Sequence, residues 1–427
     1  MTYENFDDFE ISNLIKKSVR EMGFVNTTPV QKLAIPEALK GNDITSKAQT
    51  GSGKTAAFSI PILNKIFIPD KSPQAIILCP TRELCLQISR EITKMGSNIK
   101  KLKVLAVYGG QPIGKQIRVL KKGVHIVVGT PGRVIDHIGR GTLELYGIES
   151  VVLDEADEML DMGFREDIEL ILRQTPRQRQ TMLFSATMNR EVRKIAKIYQ
   201  INPKFIKVPE TKINTPKIRQ CYFKCSEQDK FDVLNRLLKI YDPKLSLIFC
   251  NTKKRVDFLV KQLKGEGYSA DSLHGDMTQK IRDKVMNKFR NGNIGILVAT
   301  DVAARGIDVL NIDMIVNFDT PKDKDYYVHR IGRTARAGRN GYAFSLVSKY
   351  DEYYFSQILK ENRISKKNIP SLKEMDEIKN KLIMDNVMNS IKVDNLEDYV
   401  KVIKENSSKE VSSTEIAAGL LKMIREN

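Results

Sequence analysis

The segment Ala48-Gln49-Thr50-Gly51-Ser52-Gly53-Lys54-Thr55 constrains this chain more than any other. A loop of this composition works only between a strand and the first turn of a helix. Gly51 and Gly53 let the backbone bend so that its N–H groups point at phosphates. Lys54 brings a compact positive charge to the β- and γ-phosphates, and Thr55 offers a hydroxyl to Mg2+. A helix running on through Ala56-Ala57-Phe58 would aim its positive end at the same anion. The first position holds Ala48 where the usual pattern has glycine. A glycine-rich turn can also precede an ordinary helix, so this loop needs a partner elsewhere in the chain.

That partner is Val151-Val152-Leu153 followed by Asp154-Glu155-Ala156-Asp157. Three carboxylates in four residues also suit a solvated helix start. An apolar run leading straight into Asp154, however, is how a buried parallel strand delivers a side chain to a site. Asp154 is expected to hold Mg2+, and Glu155 to orient and deprotonate the attacking water. Asp157 would couple the site to the rest of the molecule. The two segments together imply a nucleoside triphosphate hydrolase.

Apolar runs recur at 75–79, 104–107, 125–128, 151–153 and 181–184, separated by charged stretches of helical period such as 82–94. Alternating short strands and helices predict parallel α/β architecture. Residues 209–216 are polar and bracketed by Pro209 and Pro216, which marks a linker over 209–218. The pattern then restarts at 221–223, 245–249, 294–298, 314–317 and 342–347. The reading is a nucleotide-binding domain over 1–208, a second domain over 219–370 and a helical extension over 371–427. Only the first domain carries the phosphate loop, so the second is not an independent hydrolase.

The formal net charge is +18. Residues 371–427 hold 9 basic and 11 acidic side chains, which leaves 61 basic and 41 acidic ones, a net +20, in residues 1–370. A core this basic favours a polyanion, although solubility alone also selects charge. No apolar stretch reaches membrane-spanning length, and the acidic N-terminus lacks a signal-peptide core. Cys79, Cys85, Cys221, Cys225 and Cys250 form no zinc set and read as reduced thiols of a cytoplasmic protein.

Asp154-Glu155-Ala156-Asp157 resembles the signature of the DEAD-box RNA helicases, and further motifs follow in that family's order. Phe6, Gly23-Phe24 and Thr28-Pro29-Val30-Gln31 match its adenine-reading segment. Pro80-Thr81-Arg82-Glu83-Leu84, Gly109-Gly110, Thr130-Pro131-Gly132-Arg133 and Ser185-Ala186-Thr187 come next. The second set is Phe249 with Asn251-Thr252, His274-Gly275-Asp276, Gln279 with Arg282, Ala299-Thr300-Asp301, 304–308 and 329–338. These motifs span roughly residues 6 to 340. Ala335 stands where the family more often has glycine, which should alter the turn slightly.

The resemblance implies two RecA-like doubly wound parallel-sheet domains in tandem, with a short helical C-terminal extension. It implies ATP, since the Gln31 amide can donate to and accept from adenine, and Mg2+ at Thr55 and Asp154. It places Asp308 at the ribose, and ties His329 to the acidic tetrad, Ser185 and Thr187. Arg333 and Arg336 become fingers on the γ-phosphate, lying on one face if their segment is helical. On spacing alone, Arg330, Arg333, Arg336 and Arg339 could instead form a basic surface stripe that binds RNA. Thr81, Arg82, Gly110, Thr130, Arg133, Gln279, Arg282, Thr300, Asp301 and Arg305 are the RNA candidates, gripping phosphates and 2′-hydroxyls without reading sequence.

The resulting expectation is an ATP-dependent helicase that bends and locally unwinds RNA. An RNA-clamping scaffold ATPase and a ribonucleoprotein or DNA remodeller are the other readings. In the extension, Leu372, Met375, Ile378 and Leu382 recur at helical steps, as do Leu396, Val400 and Ile403. Ser412 to Glu415 is a capping-box signature. These apolar faces could dock on the second domain or, as in the helical dimerisation region of some bacterial relatives, form a homodimer through 371–427.

Overall fold

Short branched-aliphatic runs become strands that pair side by side because both of their faces are apolar. The computed structural model describes residues 4–48, 51–207, 218–304, 309, 312–321, 324–335, 340–362, 364–393, 396–407 and 411–426. Among these residues fourteen strands form: β1 (Ile44–Lys47), β2 (Ala75–Leu78), β3 (Val104–Val107), β4 (Ile126–Gly129), β5 (Ser150–Leu153), β6 (Gln180–Ser185), β7 (Lys204–Lys207), β8 (Ile218–Lys224), β9 (Ser246–Phe249), β10 (Ala270–Leu273), β11 (Ile296–Ala299), β12 (Met314–Asn317), β13 (Gly341–Val347) and β14 (Ser365–Lys367).

They form two seven-stranded sheets, ordered β3-β4-β2-β5-β6-β1-β7 and β10-β11-β9-β12-β13-β8-β14. Adding seven to each strand of the first order reproduces the second, so both units follow one plan. The pairings are parallel throughout, with helices in the crossovers. Successive residues point to opposite faces. Ile77, Val128, Val152 and Phe184 therefore pack against one helical layer, and Ile76, Val127, Val151 and Leu183 against the other. In the second unit Ile248, Val298 and Val316 face one layer while Leu247, Leu297 and Ile315 face the opposite one.

Four strands lack the apolar run that marks the rest. β1 is Ile-Thr-Ser-Lys and β10 is Ala-Asp-Ser-Leu, yet both pair within their sheets. β7 and β14 are edge strands, mostly exposed and rich in lysine, which discourages pairing with another chain. The second unit begins one residue earlier than the 219 boundary expected from the sequence, because Ile218 already pairs in β8. The rest of the expected linker lies outside the described residues. Among the described residues, no helix is long and apolar enough to cross a membrane.

The C-terminal region forms three helices, Leu372–Val393, Glu397–Glu405 and Ser413–Glu426. The first packs against the helix Lys230–Tyr241, and the Arg236 guanidinium donates to the Pro370 carbonyl at 2.8 Å. The expected capping box is present: the Ser412 N–H donates to Glu415 Oε2 and the Glu415 N–H to Ser412 Oγ. An equivalent box at Ser371 and Glu374 starts the first helix. Beyond its root, Met384, Val387, Met388 and Ile391 remain exposed on that helix.

Candidate active site and nucleic-acid interface

The phosphate loop follows β1, and the acidic tetrad follows β5. Between those strands runs β6, which ends at Ser185. The Ala48 N–H donates to the Ser185 carbonyl at 2.9 Å, so this strand end fixes the entrance to the loop. Gly51 and Gly53 have φ of +80° and +90°. A Cβ on Gly53 would approach Gln31 Nε2 to 2.5 Å, which excludes larger residues twice over. Ser52 and Thr55 are half-buried along the loop, and the helix Lys54–Lys65 starts at once. Gln49 and Thr50 lie outside the described residues.

Lys54 Nζ is buried, has no hydrogen-bond partner among the described residues and lies 3.7 Å from Asp154 Oδ1. Burial disfavours its charge, but Asp154, Glu155, Asp157 and Glu158 outweigh it and raise the pKa. Burial also dominates at Asp154, which is pushed up to about 6 although Lys54 pulls the other way. Glu155 Oε2 is a second buried atom without a hydrogen-bond partner among the described residues. Orphaned buried polar atoms are costly. An unbonded ammonium between two bent glycines and a carboxylate suits a polyphosphate. Thr55 and Asp154 at the same place provide the hard oxygen donors that Mg2+ prefers. Glu155 adopts φ 52°, left-handed backbone that a side-chain-bearing residue reaches only at a cost.

Behind this pair the site continues through hydrogen bonds. The Asp157 N–H donates to Ser185 Oγ at 3.3 Å. Asp157 Oδ2 accepts from the Thr187 N–H at 2.8 Å and its hydroxyl at 3.0 Å. The second unit reaches the same carboxylates. His329 Nε2 is 4.0 Å from Asp157 Oδ2 and its Nδ1 3.4 Å from Glu158 Oε1, while Arg333 Nη2 is 3.7 Å from Glu158.

Here the structure corrects two expectations. The helix Lys324–Ile331 ends before Arg333, which sits in the following turn rather than on a helical face. Arg330 and Arg333 are both buried, so these two do not form a surface stripe. Ala335 has φ 56°, which is why glycine suits this turn. Asp308 and Arg336 lie outside the described residues.

The adenine-reading candidates sit against the loop. Phe6 is buried and stacks on Phe24 with ring centroids 6.0 Å apart. Gln31 Oε1 accepts from the Thr28 N–H at 2.8 Å, and its Nε2 donates to the Gly53 carbonyl at 3.1 Å. An amide has two donors and two acceptor positions. One of each therefore remains for a base edge.

The nucleic-acid candidates line the strand ends of both units. Thr81 caps the helix Arg82–Met95. Arg82 pairs with Asp283 of the second unit at 3.1 Å and lies over the Tyr108 ring. Gly110, at φ +81°, is so close to Gln279 that a Cβ would meet that side chain at 3.0 Å. Thr130 precedes the helix Pro131–Gly139, whose Arg133 donates to the Gln111 carbonyl and to Gln116 Oε1. Gln279 donates to Asp283, and Arg282 to the Ala303 carbonyl. Thr300 precedes Asp301, which is paired with Arg330. Arg305 lies outside the described residues.

Sequence reasoning missed Glu158, Gln116 and Asp283. Glu158 extends the carboxylate run of 154–157 by one residue, a signal that could have found it. Gln116 joins the Tyr108 carbonyl, Arg133 and His137 from a buried position. Nothing in its neighbourhood of the sequence marks it.

Residues 28–195 match the family model for the DEAD/DEAH box helicase, and residues 229–338 that for the helicase conserved C-terminal domain. The DEAD-box ATP-dependent RNA helicase CshA of Geobacillus kaustophilus is 44% identical over 423 residues, 99% of this chain and 90% of that protein. CshA of Bacillus cereus is 48% identical over 380 residues, 88% of this chain and 72% of the relative. Among solved structures, S. cerevisiae Dbp5 bound to RNA and ADP BeF3 superposes with a TM-score of 0.78 at 34% identity, covering 88% of this chain and 99% of that one.

Proposed function

The chain belongs to the DEAD-box ATP-dependent RNA helicases, and from that premise we propose how its residues divide the work. ATP sits on the loop 48–55, with Gln31 reading the adenine edge and Phe6 closing over the base. Lys54 balances the β- and γ-phosphates. Thr55 and Asp154 would hold Mg2+, which when bound would supply positive charge to offset that developing on the phosphates. Glu155 orients the attacking water and takes its proton. Arg333 and Arg336 stabilise the γ-phosphoryl group in the transition state, with Asp308 on the ribose. Asp157, Ser185, Thr187 and His329 tie hydrolysis to the approach of the second unit.

RNA lies across Thr81, Arg82, Gly110, Thr130 and Arg133 on one unit and Gln279, Arg282, Thr300, Asp301 and Arg305 on the other. These groups suit phosphates and 2′-hydroxyls, so binding ignores sequence. Bending of the bound strand breaks short duplexes locally, and hydrolysis reopens the cleft. The units act as domains over 1–208 and 219–370. Residues 371–427 join two copies; the exposed row Met384, Val387, Met388 and Ile391 supports this. The five free cysteines fit a reducing cytoplasm.

One observation carries this reading. The partnerless Lys54 Nζ and Glu155 Oε2 lie beside the carboxylates that His329 and Arg333 reach from the other unit. A strand-displacement assay tests it, using RNA and DNA duplexes with ATP or a non-hydrolysable analogue. Separation of short RNA duplexes with ATP is expected. Stable RNA capture without separation would make the protein a clamp, and equal action on DNA would refute the RNA preference.

A further inference from the structure

Arg330 is the largest fully buried side chain of the described residues, and all five of its N–H groups are engaged. Its Nε and Nη2 form a two-pronged pair with the Asp301 carboxylate at 2.6 and 2.7 Å. Nη1 donates to Asn317 Oδ1 at 3.2 Å and to the Asp319 carbonyl at 2.7 Å, and Nη2 also to Asn251 Oδ1 at 3.1 Å. The guanidinium lies 5.0 Å from the centroid of the Phe249 ring.

These partners come from the ends of three adjacent strands, β11, β9 and β12. One planar group thus clips together the three loops at that edge of the second sheet. The same short segment carries His329 and Arg333 to the carboxylates of the first unit. Asp301 lies next to Thr300 on the RNA side. One side chain therefore bridges the RNA-facing loop and the arginine-bearing turn.

We propose that Arg330 is a positioning residue that makes RNA occupancy at Thr300–Asp301 set the placement of Arg333 at the ATP site. This rests on the RNA role assigned above to those two residues. Arg330 touches neither RNA nor nucleotide. It converts a shift of the Asp301 segment into a shift of the Arg333 turn, because the two-pronged pair holds Asp301 to the segment that carries Arg333 while the other three bonds brace it against β12 and β9. Lysine cannot replace it. An ammonium has three donors on one atom and cannot span Asp301, Asn251 and Asn317 together.

The test compares the full-length wild type, Arg330→Lys and Asn251→Ala. ATP turnover is measured with and without single-stranded RNA, beside RNA affinity and thermal unfolding. Arg330→Lys should cut RNA-stimulated turnover by about tenfold or more, with RNA-free turnover and RNA affinity within about threefold of wild type. Asn251→Ala removes one acceptor of the hub without removing charge, so it should lose stimulation in the same direction but less. It also serves if the lysine variant does not fold. Equal loss of basal and stimulated rates would overturn the proposal, leaving Arg330 a structural residue. Weakened RNA affinity with normal maximal stimulation would overturn it too, by making the hub a plain RNA contact. A wild type that RNA does not stimulate would overturn the RNA reading of Thr300–Asp301 itself. A stimulated wild type matched by both variants would sink the Arg330 inference alone.

Discussion

Glu158 is a buried carboxylate through which the two units attract each other beside the acidic tetrad. Its Oε1 lies 3.4 Å from His329 Nδ1 and 3.7 Å from Arg333 Nη2, and both Glu158 and Arg333 are buried. Unit charges at about 4 Å attract by about 4 kcal/mol at an effective dielectric constant of 20. Removing two such groups from water takes back most of that gain. A net contribution on the order of 1–2 kcal/mol remains, which corresponds to about a five- to thirtyfold bias toward the approached state. Glu158→Gln keeps the side-chain volume and removes the charge. With dyes on the two units, energy transfer in the presence of RNA and a non-hydrolysable ATP analogue should report a closed-to-open ratio lowered by that factor. Combining Glu158→Gln with Arg333→Met should cost less than the sum of the single changes, since either one already breaks the pair. If the two effects add to within about 0.3 kcal/mol, the residues are not coupled and the reasoning fails.

Lys54→Ala should lower ATP hydrolysis by about a hundredfold or more, since a charged contact to the reacting phosphates is lost; a rate within about threefold of wild type would show that the loop does not hold them. Glu155→Gln should bind ATP and RNA but stall, giving an RNA complex that persists only with ATP, whereas loss of ATP binding would make Glu155 a ligand or a support. Burial raises the thiol of Cys225 to about 11 and pushes those of Cys250 and Cys79 well above the usual thiol range. A raised thiol pKa means less thiolate, so at pH 8 the native protein should react slowly with alkylating reagents, and rapid modification of Cys250 would contradict its burial. Light scattering should give a dimer for the full chain and a monomer for a chain ending at Pro370 with ATPase retained; a monomeric full chain at micromolar concentration would refute self-association.

The fold was legible where burial on both faces forces unbroken apolar runs, as in Ala75–Leu78 or Met314–Asn317. It was hidden where strands carry polar residues for local reasons. Thr45 and Ser46 of β1 are buried, and their polarity masks a central strand. Lys204, Lys207, Lys366 and Lys367 hold the exposed edges. The site was legible where backbone geometry demands particular residues, as at Gly51, Gly53 and the end of β5. It was not legible where function depends on contacts between distant segments. Arg330 looks like a surface cation in the sequence, and only the fold brings Asp301, Asn317 and Asn251 around it. Gln116 carries no local pattern, because its partners lie after β3 and on the helix Pro131–Gly139, distant from it in sequence.

Gln31 divides its amide between the chain and a prospective base, and this has a consequence for selectivity. The amide oxygen and nitrogen that hold Thr28 and Gly53 are the same atoms that would read adenine. Guanine presents an O6 acceptor where adenine has its N6 amino donor, so the amide oxygen would face another oxygen. Accommodating it would require turning the amide over, and the turned amide would place an oxygen against the Gly53 carbonyl. The wrong nucleotide would then disturb the loop carrying Lys54 as well as binding less well. Discrimination against GTP should accordingly appear in kcat as well as in KM, so that saturating GTP does not rescue turnover.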